Sequence, residues 1–259
     1  MLVFYIIQRL KLLDSKIVGT YRVKNEERFL EKSLKSVMDI CSEIVVLDDG
    51  STDKTVEICS SFDKVVDIQS KSNSVLNEVR DRNFLLQMGL KRKPDFILSV
   101  DGDEIFMPNA AEILFEELDI LYPKNSVFEF QFLTCWDNTD QIRFDGIFGN
   151  YWQRRLFRAK NQPSTLKFNN TANFGNLHCG SVPKDTMGFN TPIRSNVKIF
   201  HMASIDKTLR QQKYEYYTKI DANSNLNDGY KHMISGEGSF SGPNGIELKK
   251  LDKEFRVEI

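Results

Sequence analysis

The chain has 259 residues, 41% of them hydrophobic and 11% aromatic, which suffices for a packed core and argues against extended disorder. Lys and Arg number 35 against 36 Asp and Glu, a net charge of −1. Such a balance lacks the basic surplus of a nucleic-acid-binding chain, and no apolar run reaches the ~18 residues of a membrane-spanning helix.

Met1 to Ile7 is apolar, with no positive region before it and Arg9 and Lys11 behind it. A short strand or helix packed on the domain fits better than a signal peptide, with a membrane-surface anchor as the alternative. Lys16 to Tyr21 reads as a strand, and Asn25 to Met38 as an amphipathic helix with Phe29, Leu30, Leu34, Val37 and Met38 on one side. A strand at Glu43 to Leu47 precedes a helix opened by Ser51 and Thr52 and running through Cys59. Lys64 to Ile68 is a third strand, about Asn77 to Leu90 a helix, and Asp95 to Val100 a fourth strand. Strands separated by helices of this length imply right-handed βαβ units and a parallel sheet.

Beyond Glu104 the rhythm changes. A helix from Pro108 ends near Tyr122 and Pro123, and Val127 to Trp136 alternates as an aromatic-rich strand. Gln153 to Arg158 and Val197 to Met202 are further strands, separated by a loop-rich stretch from Asn161 to Asn196. Ser204 to Ile220 is helical, and Asp221 to Pro243 is polar and glycine-rich. The fold class is therefore α/β: a Rossmann-like, mostly parallel sheet flanked by helices, with a mixed C-terminal half extending it. The four cysteines, Cys41, Cys59, Cys135 and Cys179, form no C-x-x-C pair and read as free thiols of a reducing compartment.

Two acidic clusters follow strand-like runs. Asp48-Asp49-Gly50-Ser51-Thr52-Asp53 comes after Ile44-Val45-Val46, and Asp101-Gly102-Asp103-Glu104 after Phe96-Ile97-Leu98. Loops at the carboxyl ends of strands line the crevice of an open α/β sheet. Carboxylates gathered there repel one another unless a cation, ribose or base lies between them. Asp101 and Asp103, two apart around a glycine, suit a hard divalent ion, which would neutralise a departing diphosphate. Asp48 and Asp49 suit a ribose hydroxyl or a base N–H, while Ser51, Thr52 and Asp53 suit helix capping. The EF-hand pattern is not matched.

The order GTYRVKNEERFLEKSLKSV (19–37), EIVVLDDGSTDKTVEI (43–58), VRDRNFLL (79–86) and DFILSVDGDEIF (95–106) resembles the N-terminal half of a family-2 glycosyltransferase of GT-A fold. The likeness covers about residues 16 to 107 and continues more loosely through YWQRRLFR (151–158) and KIFHMAS (198–204). It implies a nucleotide pocket lined by Gly19, Thr20 and Tyr21, with Arg22 and Glu26 at its rim. It implies Asp49 on the base or ribose with Asp48 beside it, and Arg82 holding the nucleotide. Asp101, Gly102 and Asp103 become the D-x-D motif, with His201 a further ligand for Mn2+ or Mg2+, or else a core histidine bonded to backbone. One of Arg154, Arg155 and Arg158 would approach a phosphate, unless they form only a solvated strand edge; alternation points Arg155 away from the other two. Trp152 and Trp136 are candidates for stacking on a sugar, or for the core.

An inverting transfer also needs a base for the acceptor's proton. Relatives carry an acid where this chain reads Leu177-His178-Cys179-Gly180, so Asp185, Asp137 and His178 stand as candidates, Asp185 favoured by chain position. The expected activity is transfer of a sugar from a nucleotide-diphosphate donor to a hydroxyl of a glycan or lipid-linked saccharide. The partners are that donor and acceptor, without nucleic acid; the location is cytoplasmic, or the inner face of the membrane by peripheral contact. The donor half is expected over residues 1–107, the metal and acceptor half over 108–220, and a mobile C-terminal segment over 221–259. A sugar nucleotidyltransferase is the first alternative, although the loop Gly19 to Lys24 has too few glycines for its phosphate loop. A non-catalytic nucleotide-sugar or glycan-binding protein is the second.

Overall fold

The structure is a computed structural model that describes residues 15–71, 76–121, 127–172, 175, 177–221, 223–224, 228 and 230–251. The expected N-terminal strand or helix at Met1 to Ile7 lies outside these residues, as does the expected helix end at Tyr122 and Pro123.

Eight strands form one sheet: β1 (Ile17–Val23), β2 (Glu43–Asp48), β3 (Val65–Ser70), β4 (Phe96–Asp101), β5 (Glu104–Phe106), β6 (Val127–Thr134), β8 (Trp152–Arg158) and β9 (Ile193–His201). Their order is β3-β2-β1-β4-β8-β6-β9-β5. The first four run parallel, β8 is antiparallel to both neighbours, β6 and β9 are again parallel to each other, and β5 is antiparallel to β9. A separate ribbon pairs β7 (Gln141–Arg143) with β10 (Leu248–Lys250). This is the mostly parallel α/β sheet with a mixed second half that the sequence implies.

Alternation along the strands divides the core between two faces. Ile17, Tyr21, Val23, Ile44, Val46, Phe96, Leu98 and Val100 point one way, into the largest apolar cluster. That face is covered by α1 (Leu30–Val37), α2 (Thr55–Ser60) and α4 (Ala110–Leu121). α1 buries Leu30, Ser33, Leu34 and Val37, the i, i+3, i+4, i+7 stripe of an amphipathic helix. Val18, Val45 and Leu47 point the other way, against Leu85 and Met88 of α3 (Glu78–Lys91). Burying one such side chain contributes roughly 1.5–3 kcal/mol, so these clusters hold the sheet without help from disulfides. All four cysteines are buried free thiols.

The first two helices begin well after their expected starts. Asn25 takes φ 53° and its backbone and side chain bond to Ser51 and Thr52, so residues 25–29 form a turn before α1. Ser51 and Thr52 therefore staple the β1 loop to the β2 loop rather than cap α2. Asp53 joins both jobs, accepting from Thr55 N and Glu27 N. α3 is capped by Asn77, whose side chain accepts from Arg80 N. The last long helix, α5 (Lys207–Ile220), is capped by Asp206 through Thr208 N and Leu209 N. Within the polar 221–243 stretch, Arg143 donates to Asp145, to Ser241 Oγ and to His232 O, fixing described parts of the segment to the β7 ribbon.

Candidate active site

Strand β1 has β2 on one side and β4 on the other, so the chain reverses its direction of growth between β1 and β4. An open α/β sheet leaves a crevice beyond the carboxyl ends of its strands at such a point. Here a cleft of about 450 Å³ opens, lined among others by Arg22, Glu26, Asp49, Arg82, Asp101, Asp103 and His201. Seven of the expected site residues thus meet, from five separate segments of the chain.

Arg22 and Asp101 are register partners across β1 and β4. The Arg22 guanidinium turns toward β2 and lies 3.0 Å from Asp49 Oδ2, with Asp81 at 3.4 Å. Lys71 Nζ completes the group, 2.6 Å from Asp49 Oδ1 and 2.7 Å from Asp81. Asp49 is buried and both its oxygens are paired, which holds the carboxylate in place. Asp101 is held similarly: Arg82 Nη2 donates to one oxygen at 2.9 Å and Arg155 Nη2 to the other at 3.1 Å. Burial works against its charge, but Arg82, Arg155 and Arg22 overcome this and hold the carboxyl well below the usual range.

The turn after β4 needs Gly102. A Cβ there would lie 2.8 Å from Glu26 Cγ and 2.9 Å from its Cβ, so only glycine lets the D-x-D turn close over Glu26. Asp103 follows, joined to β9 through its carbonyl, which accepts from Met202 N at 2.8 Å. That bond brings His201 Nε2 to 3.8 Å from Asp103 Oδ2. Lys213 of α5 reaches the same oxygen at 3.0 Å. Burial raises the Asp103 carboxyl, yet Lys213 and His201 outweigh it and the net shift is downward. Burial lowers His201 against the pull of Asp103, which favours the neutral ring that can ligate a metal. Glu26 is pushed up to about 8, by burial first and then by Asp103, with Lys213 opposing.

Carboxylate oxygen and neutral imidazole nitrogen are suitable donors for Mn2+ or Mg2+. Asp103 and His201 fit that role. Asp101 fits it less directly, since both its oxygens are committed to arginines. Among the described residues no three His, Cys, Asp or Glu side chains gather within reach of one ion. A two-ligand protein site is nevertheless what Mg2+ commonly uses, with water and substrate phosphates completing the shell.

Several expected positions fall elsewhere. β1 runs two residues further than the sequence suggests, so Gly19, Thr20 and Tyr21 lie inside the sheet rather than at the crevice. Gly19 faces Cys41 and Ile44; Thr20 bonds Ser99; Tyr21 is fully buried and its hydroxyl meets Ser33. Asp48 is buried and accepts from Ser51 N, which closes the turn and leaves the cleft to Asp49. Arg155 stands behind Asp101 and also bonds Glu104 and Ser181. Trp152 lies under Arg194, outside the cleft lining, and Trp136 is buried beneath Arg143 and Arg210.

None of the three expected proton acceptors lines the cleft. Asp185 is exposed and accepts from Asn169 at 3.2 Å. Asp137 pairs with Arg210 at 2.8 Å on the surface. His178, at φ 52°, has Nε2 2.6 Å from Tyr230 Oη and 3.3 Å from Asp221 Oδ2. Its amide donates to Glu78, so it anchors the wall of the cleft instead. Sequence reasoning passed over Glu78, Gln212, Lys213, Tyr216 and Tyr217, which do line it.

The mixed α/β sheet carries its paired carboxylates and cations at a switch-point crevice, the place where open α/β folds take their ligands. The pattern of the family described as Glycosyl transferase family 2 matches residues 22–174, more than half the chain. The chain belongs to glycosyl transferase family 2. It is 27% identical over 245 residues to an uncharacterized glycosyltransferase of Rickettsia bellii, a match covering 94% of this chain and 71% of that one. An uncharacterized glycosyltransferase of Rickettsia prowazekii is 24% identical over 191 residues, 73% of this chain and 59% of the relative. Among solved structures, S. aureus TarS residues 1–349 in complex with UDP-GlcNAc has 20% identity and a TM-score of 0.37, covering 48% of this chain and 35% of that one. Glucosyl-3-phosphoglycerate synthase from Mycobacterium tuberculosis with Mn2+, UDP and phosphoglyceric acid has 18% identity and a TM-score of 0.36, covering 50% and 47%. The chain thus spans less than two thirds of the second relative and of both solved structures. Among the described residues no helix is long and apolar enough to cross a membrane.

Proposed function

We propose that the cleft binds a nucleotide-diphosphate sugar and that the chain transfers its sugar, with inversion, to a hydroxyl of a glycan or lipid-linked saccharide. The observation that carries this reading is the convergence of Asp49, Asp101 and Asp103 with Arg22, Arg82, Lys213 and His201 on one switch-point cleft. Carboxylates alone would reject a diphosphate; interleaved with cations at the end of a parallel sheet they can accept one.

In this reading Asp49, steadied by Arg22 and Lys71, takes the nucleoside. Arg82 fixes Asp101 and offers the diphosphate a second cationic edge. Asp103 and His201 would hold Mn2+ or Mg2+, which when bound neutralises charge on the departing diphosphate. Glu26 and Glu78 are the cleft carboxylates left for the proton of the attacking hydroxyl. Residues 1–107 then supply the donor side, while 108–220 add His201 and the α5 wall. A lipid-linked acceptor would bring the chain to the inner face of a membrane by peripheral contact.

The test is a thermal-shift screen of nucleoside diphosphates with and without Mn2+, followed by transfer assays with the sugar nucleotide of the preferred base. A tight ligand raises the midpoint by mass action. A metal-assisted rise for one base, lost in Asp103→Asn, supports the reading. No nucleotide response in the folded protein would refute it.

A further inference from the structure

Lys213 has no counterpart in the motifs of the sequence, yet it lines the cleft and pairs with Asp103. It lies on the face of α5 that carries Leu209, Gln212, Tyr216 and Tyr217 into the cleft. The start of that helix is held by the Asp206 cap, and Arg210 fastens it to Asp137 and to Ser204 O. The helix therefore fixes the Lys213 backbone while the four-carbon stem can re-aim its ammonium. The side chain is 36% exposed, so that ammonium reaches the open cleft.

Nζ of Lys213 lies 3.0 Å from Asp103 Oδ2, the oxygen that also faces His201 Nε2 at 3.8 Å. One carboxylate oxygen is thus shared by an ammonium and by the ligand pair proposed for a divalent ion. A second cation bound there would sit within a few ångströms of the first, in a partly desolvated site where repulsion is strong. Both cannot stay. Without any cation, Asp103 would lie unneutralised near Glu26 and Asp101, so the ammonium has a role in the unliganded protein.

We propose that Lys213 is an exchangeable counter-cation. It neutralises Asp103 in the unliganded cleft, yields Oδ2 to an entering divalent cation, and then bonds the diphosphate of the nucleotide. Metal entry and nucleotide binding are coupled through this one side chain: displacement opposes the metal alone, and the new phosphate bond favours metal and nucleotide together. The inference rests on the reading of Asp103 and His201 as metal ligands.

Calorimetric titration of the full chain with MnCl2 alone, comparing wild type with Lys213→Met, tests the first half. The variant is expected to bind Mn2+ at least tenfold more tightly, since its competitor is gone while the stem remains. The second half uses UDP, GDP and CDP at saturating Mn2+, carrying forward whichever binds the wild type best. That nucleotide should bind Lys213→Met at least tenfold more weakly. Equal or weaker Mn2+ affinity in the variant overturns the displacement, and equal nucleotide affinity overturns the phosphate contact. Mn2+ binding to neither protein overturns the metal reading together with this one, and binding unchanged in Asp103→Asn overturns the assignment of Asp103 alone. Lys213→Gln, checked by circular dichroism, repeats the comparison should the Met variant fold poorly.

Discussion

His201 and Asp103 are joined twice: their side chains stand 3.8 Å apart, and the Met202 amide next to His201 donates to the Asp103 carbonyl. The second link is main-chain, so removing the imidazole leaves the D-x-D turn anchored. His201→Ala should therefore keep its unfolding midpoint within a few degrees while its activity requires at least tenfold more Mn2+. Titrating transfer against Mn2+ decides this; an unchanged metal requirement removes His201 from the ligand set.

Gly102 carries a packing constraint as well as a bend. A methyl group there would press on Glu26 Cβ and Cγ, atoms too close to the backbone to swing away. Overpacking of this kind costs about 1–3 kcal/mol. Gly102→Ala should lower the midpoint accordingly and weaken nucleotide binding, and Glu26→Gly in the same chain should restore most of the stability but not the activity. Additive losses in that double-mutant cycle would show that the two positions do not touch.

The contrast between Asp103 and Lys213 shows what is legible in the sequence. Asp101 and Asp103 follow an apolar strand, and a carboxylate cluster at a strand end has few purely structural explanations. Lys213, Tyr216 and Tyr217 lie on a helix whose cleft-facing stripe is polar, so a search for apolar periodicity passes over it. Gly19 to Tyr21 fall at the crevice only if β1 ends at Tyr21; it runs to Val23, and the crevice moves to Arg22. β5, β7 and β10 have three residues each, too few for alternation to register. The parallel half is readable because β1, β2 and β4 are largely apolar and α1 carries a clear stripe.

Chain position is a poor guide to the proton acceptor. Asp185 and Asp137 lie outside the cleft, so Asp185→Asn and Asp137→Asn should retain transfer within about threefold of wild type. Glu26 and Glu78 face the cleft, and the one that takes the proton should lose roughly 10²-fold or more as its glutamine variant. A comparable loss in Asp185→Asn would return the role to that residue.

Arg143 tests what holds the C-terminal segment. It is fully buried, meets both Asp145 oxygens at 2.6 and 2.7 Å, and lies over the rings of Trp136 and Phe148. Arg143→Met leaves the buried Asp145 charge without its cation, held only by the Gly242 and Glu247 amides, and should cost about 3–5 kcal/mol in urea unfolding. Adding Asp145→Asn should recover part of that loss, because it removes the stranded charge. A loss below about 1 kcal/mol in the single variant would mean that the segment is held by other contacts.

His232 gives the fold a pH dependence away from the cleft. Its ring sits among Phe148, Tyr230 and Phe240, and its buried Nδ1 has no hydrogen-bond partner among the described residues. Burial, aided by Arg143, pushes the imidazole down from 6.5 to about 4. The unfolded chain then takes up this proton near pH 6.5 and the folded chain only near pH 4, so between those values the unfolded state binds more protons. Stability must fall as the pH drops through that window and is fully present above it. The contribution is about 2–3 kcal/mol, because each tenfold drop in proton affinity is worth about 1.4 kcal/mol and the ring keeps some exposure. His232→Phe fits the aromatic surroundings and cannot titrate. Urea unfolding of both proteins from pH 7 to pH 4 should show the wild type losing about 2 kcal/mol more than the variant, while parallel curves would place the imidazole in water.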